Sequence, residues 1–370
     1  MSTSHSLFTD IRNARNVSHY LFGEGSIIEL SAILARHRIN KSDSVIFFID
    51  SFFEQHNLLE GFNAITSGDQ IVYVNTIEEP TTSFINFMRD KVFDASAKQP
   101  CAIVGIGGGI TMDVAKAVSN LLANGGNAED YQGWDLVKKP GIFKVAVPTI
   151  SGTGAESTRT CVMTNTANGL KLGMNSDFTV FDQIILDPDL TQTVPRDQYF
   201  YTGMDAYIHC MESLNGQYRN AIGDAYSTQT IQLCRDLFMG GDMMSDENRA
   251  KLMVASYLGG CAIATSYVGV LHPFSAGLSV VLGLHHGVAN CITMRAMEEF
   301  YPDGYREFYR MAESQNVRLP EGICRNLTDA QLKQLYASTI IHEKPLTNAL
   351  GECYKDILTP GKVKELFLRM

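Results

Sequence analysis

Asp205 and His209 stand four residues apart in "YTGMDAYIHCMES". On a helix that spacing puts a carboxylate and an imidazole on one face, where both can meet one cation. A surface pair or a core histidine capped by a carboxylate would give the same spacing. The stretch "LHPFSAGLSVVLGLHHGVAN", residues 271–290, adds weight to the metal alternative. It carries His272, His285 and His286 inside a run from Leu252 to Met294 that has no Lys, Arg, Asp or Glu. Neutral imidazole is a common metal ligand, and burying it in an apolar shell is reasonable when a cation pairs with it. One carboxylate with two or three histidines makes a divalent transition-metal site with an open coordination position.

A second constellation is "CAIVGIGGGITMDVAKAVSN", which reads as a buried strand, a glycine cluster and a helix. Gly107, Gly108 and Gly109 let backbone N–H groups approach a pyrophosphate, and the helix N-terminus adds its dipole. The competing reading is a tight turn with no ligand. Asp50 ends an earlier strand, where an acidic residue can bond a ribose 2′-hydroxyl and favour NAD over NADP; it serves equally well as a helix N-cap. The segment "VPTISGTGAESTRTCVMTN", residues 147–165, offers hydroxyl and amide donors to a nicotinamide or substrate, or is a self-bonded turn.

These residues need elements to hold them. "SVIFFID" (44–50), "QIVYVN" (70–75), "CAIVGIG" (101–107) and "KVAVPTI" (144–150) read as strands buried on both faces. Between them "SFINFMRDKVFDASAK" and "TMDVAKAVSNLLAN" read as helices, and the alternation predicts a parallel, doubly wound sheet. After "LDPDLTQTVPRDQ" (186–198) long helical patterns run to the end, so the boundary falls near Pro188 to Arg196. The expected domains are 1–190, an α/β nucleotide-binding unit with a parallel sheet, and 191–370, an all-α metal-binding unit.

Composition narrows the classes. A formal charge of -10 argues against a nucleic-acid or anionic-membrane surface, while leaving room for a local basic pocket. The charge-free run is broken by histidines, Pro273, serines and glycines, so it reads as buried helices and not as a membrane span. Eight scattered cysteines without a C-x-x-C pair fit buried thiols in a reducing cytoplasm. The first residues, "MSTSHSLFTDIRNARN", have no apolar core of signal-peptide length, which makes secretion unexpected.

"GIGGGITMDVAKA", "VPTISGTGAES", "GMDAYIH", and a histidine followed by "HGVAN" together resemble the iron-containing (group III) alcohol dehydrogenase family, in order and over nearly the whole chain. The resemblance implies a dehydroquinate synthase-like fold with catalysis in the cleft between the domains, and a homodimer. It implies a divalent metal, Fe2+ or Zn2+, on Asp205, His209, His272 and His286; an Asp and three imidazoles suit either ion. It implies NAD with its pyrophosphate region on Gly107 to Gly109 and Asp113, the nicotinamide side on Thr149 and Thr153, and the adenine ribose on Asp50. The implied reaction is oxidation of a primary alcohol to an aldehyde by hydride transfer to the nicotinamide. A lyase of the dehydroquinate-synthase type shares this architecture and is the other enzymatic reading.

The chain departs from the family pattern at several positions. Many members carry a histidine four residues after the third ligand, where this chain has Ala276. His285, standing where a proline is usual, could take over its proton-relay role, or be a packed residue. Ile110 replaces the usual serine of the glycine motif, removing one phosphate donor but not the backbone cradle. Arg159, in "GAESTRT", falls on the substrate side, where a guanidinium would recognise a carboxylate or phosphate; pairing with a protein carboxylate is the alternative. "HPFSAGLSVVLGLHHGVANC" is similar to the bacterial 3-deoxy-D-manno-octulosonate 8-oxidase group, which implies an anionic sugar acid as substrate. A general dehydrogenase of small alcohols is the broader expectation.

Overall fold

The structure is a computed structural model that describes residues 14–56, 63–95 and 98–370. The stretch read for a leader lies almost wholly outside the described residues. Two compact units emerge: Arg15–Ser151 with Ala155–Val194, and Gly152–Gly154 with Pro195–Met370 and Ala14.

The first unit contains β1 (His19–Phe22), α1 (Leu30–Ala35), β2 (Val45–Asp50), β3 (Gln70–Val74), α2 (Thr82–Ala95), β4 (Ala102–Gly107), α3 (Gly109–Asn124), β5 (Gly133–Trp134), β6 (Lys144–Pro148), β7 (Thr160–Asn165), β8 (Leu170–Asn175) and β9 (Gln183–Leu186). Six strands form a sheet in the order β1-β9-β6-β4-β2-β3, parallel throughout. The apolar runs are continuous because helices cover both faces. Val45, Phe47, Ile49, Val104 and Ile106 pack with Leu30, Ile33 and Leu34 of α1 on one face. On the other face α3 comes so close that a Cβ on Gly105 would lie 3.1 Å from Ala115 Cβ. Burial of each such large side chain contributes about 1.5–3 kcal/mol.

Two sequence expectations are corrected here. The strand at 70–75 is not buried on both faces: β3 is the sheet edge, and its residues alternate between covered and open. The supposed loop 147–165 ends in a strand, since β7 pairs antiparallel with β8 and β5 joins β8 in a second, three-stranded sheet. The alternating burial of Cys161 and Met163 within Thr- and Asn-rich neighbours hid that period.

The chain runs from β2 outward to β3, then returns past β2 to β4 and onward to β6. Connections therefore diverge between β2 and β4, and in open α/β sheets ligands bind outside the carboxyl ends of strands at such a switch point. Asp50 and Gly107 are the last residues of those two strands.

Among the described residues the second unit holds only helices: α4 (Arg196–Asn215), α5 (Ala221–Met239), α6 (Asp246–Ser266), α7 (Leu271–Leu282), α8 (His286–Thr293), α9 (Pro302–Ser314), α10 (Asp329–Ile340), α11 (Glu343–Leu350), α12 (Tyr354–Ile357) and α13 (Pro360–Leu368). The charge-free run spans α6 to α8, and among the described residues no single helix is long and apolar enough to cross a membrane. All eight cysteines are free; six are buried, Cys101 is half-buried and Cys353 is exposed.

Candidate metal centre

Helix α4 presents Asp205, His209 and Glu212 on one face, at spacings of four and three residues, and buries all three. Helix α6 ends at Tyr267, which takes a positive φ of 59°, and the turn that follows sends α7 off with His272 in its first turn. Gly283, at φ 67°, closes α7 in the left-handed conformation that glycine adopts without strain. The chain then re-enters a helix at His286.

These local features bring one carboxylate and three imidazoles together. Asp205 Oδ1 lies 3.3 Å from His209 Nε2 and 3.2 Å from His272 Nε2, and Asp205 Oδ2 lies 3.4 Å from His286 Nε2. One ligand atom from each of the four falls within 4.8 Å of all the others. Donor atoms held at about 2.1 Å in a tetrahedron around one ion sit roughly 3.4 Å apart, so the spacing suits a divalent ion. Asp205 is fully buried, and its Oδ2 has no hydrogen-bond partner. His272 meets the Glu212 carboxylate through Nδ1, which turns Nε2 toward Asp205 Oδ1 at 3.2 Å. An imidazole held by a carboxylate on one nitrogen and aimed at the cluster with the other is the usual arrangement of a metal-ligating histidine, which is the second sign of fit.

The electrostatics follow from burial and from these carboxylates. Burial alone would raise Asp205, yet His209 and His286 hold it well below the usual carboxylate range. Burial pushes His209 down to about 3, against the pull of Asp205. Burial also works against charge on His272, but Glu212 and Asp205 lift it to about 9. His286 is the most open of the four, with 30% of its side chain exposed.

Three supporting residues escaped the sequence reading. Glu212 accepts the Leu271 N–H at 2.6 Å besides its bond to His272; Asn290 donates from Nδ2 to Asp205 Oδ1 at 2.7 Å; Tyr301 donates to Glu212 at 3.3 Å. Glu212 continues the Asp205–His209 face by one turn, and Asn290 stands four residues after His286, so helical spacing was the available signal for these two. Nothing local marks Tyr301. His285 is exposed at the N-cap of α8, with no side-chain capping bond, and lies outside the four-residue cluster.

The nucleotide candidates belong mostly to the α/β unit. Gly107 ends β4, where a Cβ would stand 2.6 Å from Thr111 Oγ1 and 3.1 Å from Asp50 Cβ. Gly108 is the N-cap of α3, no side chain caps that end, and a Cβ there would meet Ile150 Cγ2 at 2.9 Å. Gly109 opens the helix, so the first-turn N–H groups have no side-chain acceptor, as an anion site requires. Asp50 caps the short turn after β2, accepting from Phe52 N–H at 3.0 Å and from the Thr76 hydroxyl at 3.2 Å. Asp113 accepts the Val162 N–H of β7 at 2.9 Å. Thr149 donates its N–H to Gly107 O at 3.0 Å; Thr153 sits in the Gly152–Gly154 segment of the helical unit. Arg159 forms ion pairs with Asp135 and, from Nε at 3.2 Å, with Asp177.

Comparison with known proteins agrees with this anatomy. The sequence is 34% identical over 232 residues to the sulfoacetaldehyde reductase of Bilophila wadsworthia, covering 61% of this chain and 59% of that protein. It is 33% identical over 207 residues to the NAD-dependent methanol dehydrogenase of Bacillus methanolicus, covering 54% of each. The chain thus spans less than two thirds of the length of either relative. The fold superposes on a 1,3-propanediol oxidoreductase with TM-score 0.82 at 19% identity, over 97% of this chain and 99% of that one. The sulfoacetaldehyde reductase of Bifidobacterium kashiwanohense, solved with NAD+, gives 0.78 at 20% identity, over 97% and 98%. The family model for iron-containing alcohol dehydrogenase matches residues 18–188, and the model for the C-terminal part of the same family matches 199–342. With its metal-fitting cluster inside the second match and its glycine loop inside the first, the chain belongs to the iron-containing alcohol dehydrogenase family.

Proposed function

We propose that this chain interconverts a primary alcohol and its aldehyde, using NAD and a divalent iron or zinc ion held by Asp205, His209, His272 and His286. The observation that carries the reading is the convergence of those four donors within 4.8 Å in a buried setting. When bound, such an ion supplies Lewis-acid polarisation of the substrate oxygen, and the nicotinamide supplies the hydride acceptor.

The protein's own groups bind and orient. His286 is the exposed edge of the cluster, so substrate approaches from its side. Oxidation also releases a proton, and exposed His285, next in sequence to His286, is the group we assign to pass it to solvent. The uncapped N-terminus of α3 with Gly107 to Gly109 receives the pyrophosphate. Asp50 keeps unused acceptor capacity after its bonds to Phe52 and Thr76, enough for the ribose hydroxyls, and its charge disfavours a 2′-phosphate. Asp113 acts indirectly, tying α3 to β7 behind the loop. Thr149 and Thr153 are assigned to the nicotinamide side.

A second reading, an anionic alcohol or aldehyde such as a sulfonate or a sugar acid of the 3-deoxy-octulosonate kind, is favoured by the resemblance to a sulfoacetaldehyde reductase. In it Arg159 exchanges one of its two carboxylate partners for the substrate anion.

The test is turnover of protein reconstituted with Fe(II) or Zn(II), given NAD and a panel of short alcohols, diols, sulfonates and sugar acids. Reduced nicotinamide is expected in equal amount to aldehyde. Regeneration of NAD without net reduction would replace the dehydrogenase reading with a lyase, and oxygen uptake in its place would indicate an oxidase. His272→Ala is expected to lose metal and turnover together; unchanged metal content would remove His272 from the ligand set.

A further inference from the structure

We propose that Glu212 and Tyr301 form a positioning device for the metal centre: Glu212 holds His272 by its ring and by its backbone at once, so that metal affinity depends on how the first turn of α7 is anchored. This rests on the metal reading above and extends it to residues that touch no metal.

Helix α7 begins without a side-chain cap of its own, since Val270 at its N-cap carries no polar group and takes a helical backbone conformation. Pro273, in its first turn, contributes no N–H. Two backbone donors at this end are satisfied by side chains from elsewhere in the unit. Glu212 of α4 accepts Leu271 N–H at 2.6 Å, and the Tyr301 hydroxyl, just before α9, accepts Val270 N–H at 2.9 Å. The same hydroxyl donates to Glu212 Oε1 at 3.3 Å. The other carboxylate oxygen, Oε2, meets His272 Nδ1. Both the start of the helix and the ring of its second residue are therefore fixed by one side chain.

Two further observations fit a positioning role. Glu212 is buried, and the charge-bearing group paired with it among the described residues is His272 alone. The three partners of Glu212, Leu271 N–H, the Tyr301 hydroxyl and His272 Nδ1, all lie at or against the start of α7, so the carboxylate is committed to that turn. Gly269 also matters, because a Cβ there would lie 2.3 Å from the Tyr301 hydroxyl and 3.1 Å from Glu212 Oε1. The turn before α7 thus comes close enough for tyrosine and glutamate to reach it only because that position has no side chain. His272 is further held by stacking on His209, with ring centroids 4.7 Å apart and planes within 18°. Residues that orient a ligating imidazole in this way typically change metal affinity by about 10–100-fold when altered.

The experiment is chelator competition for Co(II) and Zn(II) on the wild-type protein and on Glu212→Gln, Tyr301→Phe and Glu307→Gln, alongside thermal unfolding of each metal-free protein. Glu307 is a buried carboxylate of the same unit, bonded to Tyr207 and Arg235, and controls for general loss of stability. Expected are about 10–100-fold weaker binding in Glu212→Gln, a smaller loss in Tyr301→Phe, and no change in Glu307→Gln. Wild-type affinity in Glu212→Gln, or an equal loss in Glu307→Gln, would overturn the proposal while leaving the metal reading intact. A wild-type protein that takes up no metal would bring down both. If Glu212→Gln fails to fold, Tyr301→Phe decides: weakened binding supports the device and unaltered binding refutes it.

Discussion

Asn290 Nδ2 donates to Asp205 Oδ1 at 2.7 Å and lies 3.2 Å from His286 Nε2, so one amide on α8 orders two members of the cluster. The bond occupies Oδ1 and leaves Asp205 Oδ2 without a hydrogen-bond partner. Asn290→Ala deprives a buried carboxylate of a donor, which costs about 1–3 kcal/mol. Metal affinity and kcat are expected to fall at least about tenfold, read by chelator competition and steady-state turnover. Asn290→Asp, which sets a second carboxylate against Asp205, is expected to do worse. Full metal retention in both variants would show that Asp205 orients itself.

Gly107→Ala tests the nucleotide loop separately from the metal. The new methyl would stand 2.6 Å from Thr111 Oγ1 and 2.8 Å from Thr111 Cβ, and the φ of 157° is one that side chains disfavour. Forced shifts of this kind cost about 1–3 kcal/mol. Affinity for reduced nicotinamide, followed by fluorescence titration, is expected to drop strongly with metal content unchanged. Equal cofactor affinity would remove this loop from the binding site.

Arg159→Met discriminates the two substrate readings. Loss of the pairs to Asp135 and Asp177 is expected to lower the unfolding temperature while leaving kcat/KM for short neutral alcohols within about threefold, as the neutral-alcohol reading requires. A rise in KM confined to sulfonates or sugar acids would establish the anionic reading instead.

Asp113 gives a pH signature in the α/β unit. Burial pushes its carboxyl up to about 7, although Lys116 and the Val162 N–H pull the other way. The unfolded value is about 4, so the folded chain favours the protonated acid. Its stabilising contribution is complete below pH 4 or so and is lost as pH rises through about 7. Asp113→Asn keeps an acceptor for Val162 and should flatten this decline, so the stability difference between variant and wild type should grow from pH 5 to pH 8 in denaturant titrations. A difference independent of pH would contradict the assignment.

Much of the site was legible because it is written inside single elements. The Asp205–His209 pair follows from helical period, and the Gly107 to Gly109 cluster from its position between an apolar run and a helix. The apolar strands of the central sheet were equally plain, since parallel strands covered on both faces leave uninterrupted hydrophobic runs. The edge position of β3 was not legible, because its apolar residues match those of a central strand and only the pairing order leaves one side open.

The sequence by itself determined the α/β and helical halves, the glycine loop and the histidines available for a metal. Only the tertiary structure decided which imidazoles meet Asp205, that exposed His285 lies outside the cluster, that Arg159 is paired with Asp135 and Asp177, and that Glu212, Asn290 and Tyr301 support the centre. The reason is range. Spacing along one helix or strand is fixed by local geometry, whereas contacts between α4, α7, α8 and the start of α9 depend on where the turns at Tyr267, Gly269 and Gly283 aim each helix. Those directions are set by packing across the whole unit.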